Sequence, residues 1–373
     1  MVSNTREIAL EQAIQKHLTG HTTEELAGQP APAGGGPYLI GMPGDFNVQF
    51  ALDTAMFWQF LHATQGKELA KLQSRNPSDW QAKILERFDR MIKKNGLLHL
   101  LKKGLDVDDA HLTLMYPAPL ASSAARVHEN FTANIFSITR QVRYSQTNPL
   151  EEIDMVLFLN GMALITVELK NAWTGQTARF HGQKQYRDNR DAAQPLLQFG
   201  RALVHMAVDT DEVFMASKLA GSVTFFLPFN KGHNNGEGNP PNPNGHKTAY
   251  LWEEVFQPAS LAGIIQHFVL LEGKAVDPLA KKSLIFPRYQ QLEVVRRLLD
   301  HASTNGVGHS YLIQHSAGSG KSNSITWAAY QLIETYPQST SLPGARGLDQ
   351  PLFDSVIVVT DRRLLDCECH TAA

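Results

Sequence analysis

The chain has 373 residues, a formal net charge of −2 from 34 basic and 36 acidic side chains, and 43% hydrophobic residues. That length holds about two domains, and the composition excludes wholesale disorder. The balanced charge excludes a broadly basic chain, so any nucleic-acid contact has to come from a local patch or from a partner. Residues 1–16 carry Arg6, Glu7, Glu11 and Lys16 and no apolar stretch, so no secretory leader is read there. No apolar run reaches the roughly 18–20 residues of a membrane span. Cys367 and Cys369 both fall within the last seven residues. The body of the chain therefore has no disulfide framework and no Cys-based zinc site. The cytoplasm is the expected compartment.

Residues 5–18 read as a short amphipathic helix, and 30–37 (PAPAGGGP) as a loop. Phe50–Leu72 is helix-forming, and Trp80–Lys103 is a second helical block with apolar residues at helical spacing. Ile153–Leu159 and Ala163–Leu169 are apolar, β-prone runs around Asn160-Gly161, a strong hairpin signal. Leu196–Met206, Val213–Ser217 and Ser222–Leu227 mix helix-like and strand-like character. In Asn230–Lys247, thirteen of 18 residues are Asn, Gly or Pro, too many for regular structure. It is either a surface linker or a functional loop. Residues 251–275 look helical, and Asp277-Pro278 opens a junction. From Ser283 the pattern becomes helix, strand, loop, helix, strand.

Three charges interrupt the apolar hairpin: Asp154, Glu168 and Lys170. Burying charges without partners is costly, so they invite a chemical reading. Glu168 and Lys170 are two apart and share one strand face. A two-residue Asn160-Gly161 turn would pair Asp154 with Val167 and leave Glu168 on the other face. A three-residue loop, Asn160 to Met162, would pair Asp154 with Glu168, and a β-bulge would also correct the phase. If the acids work together, one of those two is expected. Two carboxylates offer hard oxygen ligands to Mg²⁺, which polarises a phosphate and lowers the pKa of a bound water. A lysine can position that water and offset the developing charge. Read from spacing alone, the same residues also fit a salt bridge at a strand end.

Asp154 with Glu168-Leu169-Lys170 resembles the PD-(D/E)xK nuclease motif. The surrounding text, NPLEEIDMVLFLNGMALITVELKNAWTGQ, is similar to the nuclease domain of the restriction (R, HsdR) subunit of type I restriction–modification enzymes. The similarity runs on through GQKQYRDNRDAAQPLLQFGRALVHMAVDTDEVFMAS and FFLPFNKGHNNGEGNPPNPNG, from about residue 5 to residue 366. The resemblance implies a metal held by Asp154, Glu168 and the Leu169 carbonyl, with Lys170 assisting. It also implies a Gln/Tyr motif after this strand. Gln183 and Tyr186 are the nearest candidates, three apart where the family has four. Glu11 is the candidate for an N-terminal acid completing the site, beside a plain solvent-facing reading.

A second constellation follows Ser310–Ile313, a short β-prone run. His315-Ser316-Ala317-Gly318-Ser319-Gly320-Lys321-Ser322 then leads into a helix, which is the strand–loop–helix setting of a phosphate-binding loop. Gly318, Ser319 and Gly320 would curl backbone N–H groups toward phosphate. Lys321 would reach the β- and γ-phosphates of ATP, and Ser322 would hold Mg²⁺. His315 stands where the strict pattern has Gly. Upstream, Phe286-Pro-Arg288-Tyr-Gln290-Gln291 resembles the adenine-reading Q motif of superfamily 2 motors, with Gln291 favoured over Gln290. Downstream, residues 354–363 resemble motif Ia, in which Thr360, Arg362 and Arg363 would contact the DNA backbone.

The fold expectation is therefore α/β: a PD-(D/E)xK domain over residues 1–275, with a mixed sheet flanked by helices, and a partial first RecA-like lobe over 276–366. Residues 367–373 match nothing in the family and suggest a frameshift or truncation, so ATP-driven translocation is not expected. The resemblance implies Mg²⁺ and ATP as cofactors, and double-stranded DNA and the methyltransferase and specificity subunits as partners. The alternative is a non-catalytic remnant or binding module that docks on that complex.

Overall fold

The structure, a computed structural model, describes residues 4–26 (side chains from Ile8), 35–120, 122–171, 175–316 and 318–359. Nine strands make one mixed sheet. They are β1 (Leu39–Ile40), β2 (Phe46–Asn47), β3 (Leu52–Asp53), β4 (Phe136–Arg143), β5 (Glu152–Leu159), β6 (Met162–Leu169), β7 (Val204–Val208), β8 (Val213–Ala216) and β9 (Leu227–Pro228). The order is β1-β4-β5-β6-β7-β8-β9, with β3 against the start of β6 and β2 against β3. The β1–β4 and β6–β7 pairs are parallel and the others antiparallel. This is the mixed sheet flanked by helices that was expected.

Every residue of β6 is buried, because both faces of the sheet are covered. One face meets α1 (Asn4–Thr19), α2 (Thr54–Thr64), α3 (Gly66–Arg75), α4 (Trp80–Asn95), α5 (Leu97–Lys103) and α6 (Pro258–His267). Ile84, Phe88 and Ile92 recur every fourth residue, so α4 turns one apolar stripe inward. The other face lies under residues 178–197, where Ala178, Tyr186, Leu196 and Leu197 join Val156, Phe158 and Ala207 in a second cluster.

Both long helical blocks are divided. Trp80–Lys103 breaks at Gly96, whose φ is +81°, and whose N–H closes α4 on the Ile92 carbonyl at 2.8 Å. Phe50–Leu72 begins with a turn and β3. Asp53 then caps α2, its Oδ1 accepting the Met56 N–H at 3.0 Å. Residues 251–275 hold a π-helical turn (Leu251–Val255), α6 and the strand β10 (Leu270–Glu272). Asn230–Lys247 has no helix or strand, as expected, yet it is tied down: Asn230 Oδ1 accepts the Val213 N–H at 2.8 Å and the Asn239 amide at 2.9 Å.

β10 pairs with β11 (Ser283–Ile285) across the 275/276 junction. Leu284, Phe286, Tyr289, Leu292, Val295 and Trp327 enter the same apolar cluster as the helical face of the sheet. Beyond the junction lie α7 (Tyr289–Asn305) and α8 (Lys321–Leu332). The strands expected at 310–313 and 355–359 are absent from these described residues, and Leu312 and Val359 are 95% and 89% exposed. A parallel strand depends on a neighbour on each side and cover on both faces, and the described residues supply neither. A cavity of about 380 Å³ between α7 and α8 is lined by Val294, Leu298, Ile325, Ala328 and Ile357. Thr360, Arg362, Arg363, Cys367 and Cys369 lie outside the described residues, as do residues 30–34 of the PAPAGGGP loop. Among the described residues no helix is long and apolar enough to cross a membrane.

Candidate active site

The hairpin closes with a two-residue turn, Leu159 facing Met162, and Asn160 and Gly161 take φ of +51° and +78°. The register slips by one between Leu157 and Phe158, so that Phe158 faces Ala163 while Leu157 faces Ile165. Leu164 is the extra residue. Leu164 and Ile165 both enter the helical-face cluster, and from there the alternation of β6 is reversed. The last paired residues are Met155 and Val167, so the next positions outward, Asp154 and Glu168, stand opposite each other. The phase correction needed for the two acids to work together is thus a bulge.

Beyond that last pair the two strands no longer bond through their backbones, and side chains take over. Asp154 Oδ2 accepts the Leu169 N–H at 2.7 Å. Lys170 Nζ donates to the Leu169 carbonyl at 2.7 Å and lies 4.0 Å from Asp154 Oδ2. Glu168 is fully buried, and its Oε1 is held by Arg190, with Nε at 2.8 Å and Nη2 at 2.7 Å. Its Oε2 is buried without a hydrogen-bond partner among the described residues. Burial and then the charge of Asp154 push the Glu168 carboxyl above the usual carboxylate range, against the pull of Arg190 and Lys170. Two carboxylates, one of them with an orphaned oxygen, and a backbone carbonyl are a donor set that suits a hard divalent cation. No group of three or more His, Cys, Asp or Glu side chains converges among the described residues, so the remaining ligands of such an ion would be water and substrate.

The other predicted site residues are placed differently. Gln183 and Tyr186 lie on a widened helix of π-type turns (Ala178–Gly182, Gln185–Asn189). Tyr186 is buried and its hydroxyl shares a hydrogen bond with Thr166 Oγ1 at 2.8 Å, on the face of β6 that carries Glu168. Thr166 Oγ1 also meets His205 Nδ1 at 2.8 Å. Glu11 is taken up elsewhere: its Oε2 accepts from Arg140 Nε at 2.8 Å, in a group with Glu24. Arg140 is paired opposite Met155, and α1 packs on the helical face of the sheet. Arg190 was not anticipated. Nothing in the local sequence ties it to a carboxylate 22 residues upstream.

Burial drives the His205 pKa down to about 3. A histidine neutral in the fold but titrating near 6.5 when unfolded binds more protons unfolded. Its stability contribution is therefore complete above about pH 6.5 and is lost as the pH falls toward 3. His205→Gln should flatten the loss of stability between about pH 6 and pH 4, read by urea unfolding at stepped pH. An unchanged slope would remove His205 from the acid response.

At the glycine-rich loop, Gly318 and Gly320 have φ of +72° and +79°, and α8 starts at Lys321. Lys321 Nζ folds back on the carbonyls of Ser316 and His315 at 3.3 and 3.5 Å. Gln291 Nε2 donates to the carbonyls of Gly320 at 2.9 Å and Ser319 at 3.1 Å, and its Oε1 accepts the Arg288 N–H. Its amide stitches the loop to α7. Gln290 donates instead to the Asn230 carbonyl at 2.7 Å.

Residues 57–223 match the family described as the type I restriction enzyme R protein N terminus. That span contains Asp154, Glu168, Lys170, Gln183, Tyr186 and Arg190. The chain is also similar to the endonuclease subunit of the HindI type I restriction enzyme of Haemophilus influenzae (strain ATCC 51907 / DSM 11121 / KW20 / Rd), at 25% identity over 221 residues. The match covers 57% of this chain and 19% of that subunit, so the chain corresponds to a small part of its relative's length.

Proposed function

We propose, from the match of residues 57–223 to the type I restriction enzyme R protein N terminus, that this chain carries a Mg²⁺-dependent DNA endonuclease site. The observation that carries the reading is the bulge at Leu164, which sets Asp154 opposite Glu168 with the Lys170 ammonium 4.0 Å from Asp154. Asp154, Glu168 and the Leu169 carbonyl would hold the metal, which when bound polarises the scissile phosphate. The Leu169 N–H anchors Asp154 so that its carboxylate cannot swing away. Lys170 orients the attacking water and offsets charge on the phosphate. Tyr186 and Thr166 buttress β6 from the side that carries Glu168.

The proposal extends to the rest of the chain. The loop at Gly318–Ser322 binds the phosphates of ATP, and Gln291 holds that loop in place. Thr360, Arg362 and Arg363 contact the DNA backbone. Site recognition belongs to methyltransferase and specificity subunits on which the chain docks, in keeping with a net charge of −2. The expected compartment is the cytoplasm, where the DNA is.

A second reading, a non-catalytic docking module, draws on one feature: Glu168 Oε1 and the Lys170 ammonium already bond to groups of this chain. One assay separates the two. Supercoiled plasmid incubated with the protein and Mg²⁺ or Mn²⁺ should be nicked, with activity lost in EDTA and in Asp154→Asn. No cleavage with either metal, alongside stable co-purification with the partner subunits, would favour the docking module.

A further inference from the structure

We infer that Arg190 is a positioning residue of the metal site: it clamps Glu168 Oε1, aims Oε2 at the divalent cation, and balances the carboxylate's charge until the cation arrives. The inference rests on the endonuclease reading and adds to it a residue outside the motif.

The geometry is one-sided. Nε of Arg190 donates to Oε1 at 2.8 Å and Nη2 lies 2.7 Å from the same oxygen, while Oε2 is left buried with no hydrogen-bond partner among the described residues. A fork used in the ordinary bidentate manner would have covered both oxygens. The guanidinium cannot slide across to do so. Its Nη2 also donates to the Glu152 carbonyl, and its plane lies over the Tyr144 ring, Cζ 5.5 Å from the centroid. Tyr144 is fixed in turn by its hydroxyl, which donates to Glu151 Oε2 at 3.0 Å. Three separate groups thus hold a side chain that is only 8% exposed. The result is a carboxylate with one oxygen pinned and the other presented.

The charges agree. Counted formally, the two carboxyl groups of Asp154 and Glu168 face two cations, Lys170 and Arg190. The cluster is neutral without a metal, which lets a fully buried Glu168 exist in the folded chain. An incoming divalent ion therefore binds a site that is preformed but not strongly anionic. Orientation of Oε2, rather than excess negative charge, has to supply the affinity. Groups that orient ligands in this way are worth about 10–100-fold in metal affinity.

Mn²⁺ binding to the full chain, read from the electron paramagnetic resonance signal of free Mn²⁺, tests this without any cleavage assay. The Mn²⁺ equivalent lost in Glu168→Gln defines the site. Arg190→Gln should weaken that equivalent about tenfold or more, with Arg190→Lys in between because it keeps the charge and loses the fork. Thermal unfolding without metal should show Arg190→Gln and Glu168→Gln to be strongly non-additive, since the second change removes the charge that the first leaves unpaired. Should Arg190→Gln fail to fold, Arg190→Lys reads the same affinity change. Affinity within twofold of the parent, or tighter, overturns the positioning role while leaving the endonuclease reading intact. A parent chain with no Mn²⁺ equivalent that Glu168→Gln removes overturns both.

Discussion

Lys170→Ala is expected to lower metal-dependent plasmid cleavage by at least about 100-fold, the usual scale for losing one group that stabilises transition-state charge. Its ammonium bonds to the Leu169 carbonyl at 2.7 Å and lies 4.0 Å from Asp154 Oδ2. It therefore stands beside Asp154, where β5 and β6 part. Its stem is packed rather than loose: a Cβ on Gly182 would come 3.5 Å from Lys170 Cγ. Alanine removes both charge and stem, but the backbone bond to β7 stays, since the Lys170 N–H still reaches the Val208 carbonyl. A modest loss of stability, about 1–3 kcal/mol, should accompany a much larger loss of cleavage. Lys170→Arg should not restore activity, because a planar fork cannot occupy the space of a compact ammonium. Cleavage by the alanine variant at the parent rate, measured on supercoiled plasmid, would remove Lys170 from the chemistry.

How far the sequence foretells this site depends on the range of each interaction. The Asn160-Gly161 turn and the two flanking strands were legible because they are local and periodic. So was the conditional statement that the acids can meet only with a three-residue loop or a bulge. Which of the two occurs was not legible. Leu164 and Ile165 are both apolar, and only the helical layer that accepts both makes the bulge the better solution. Arg190 was invisible for the opposite reason: its partners Glu168, Glu152 and Tyr144 come from two other strands and the end of a third. The helical blocks were placed correctly but read too long, since an amphipathic stripe continues through Gly96 although the backbone does not. The strands expected around the phosphate loop mark a further limit. Their apolar runs are clear in the text, but strand formation needs neighbours that no local pattern supplies.

Gly161→Ala is expected to destabilise the protein by about 3 kcal/mol or more, the upper end for a strained backbone position. Two effects combine. The residue has φ of +78°, which a side chain rarely adopts, and that alone costs about 1 kcal/mol. A Cβ there would also lie 2.3 Å from the Asp53 carbonyl oxygen and 2.6 Å from the Phe57 nitrogen. Neither can yield cheaply. Asp53 accepts a hydrogen bond from Met56 as the cap of α2, its own N–H bonds to the Gly161 carbonyl at 2.8 Å, and Phe57 is fully buried. The neighbouring Asn160 is fully buried too, its amide bonded to the Leu114 carbonyl and its oxygen to the Ile135 N–H. This hairpin tip is therefore part of the core, unlike the solvated tip its Asn-Gly pair ordinarily makes. Gly175 supplies the control: its φ is +75°, and a Cβ would meet nothing within 4 Å among the described residues. Gly175→Ala should thus show the conformational cost alone. Thermal unfolding should place the Gly161 variant roughly 4 °C or more below the parent and the Gly175 variant only about 1 °C below. Equal shifts would mean that the close approach of β3 and α2 to the turn contributes nothing. A larger shift at Gly161 would tie the register of Asp154 and Glu168 to a turn that the rest of the fold clamps from outside.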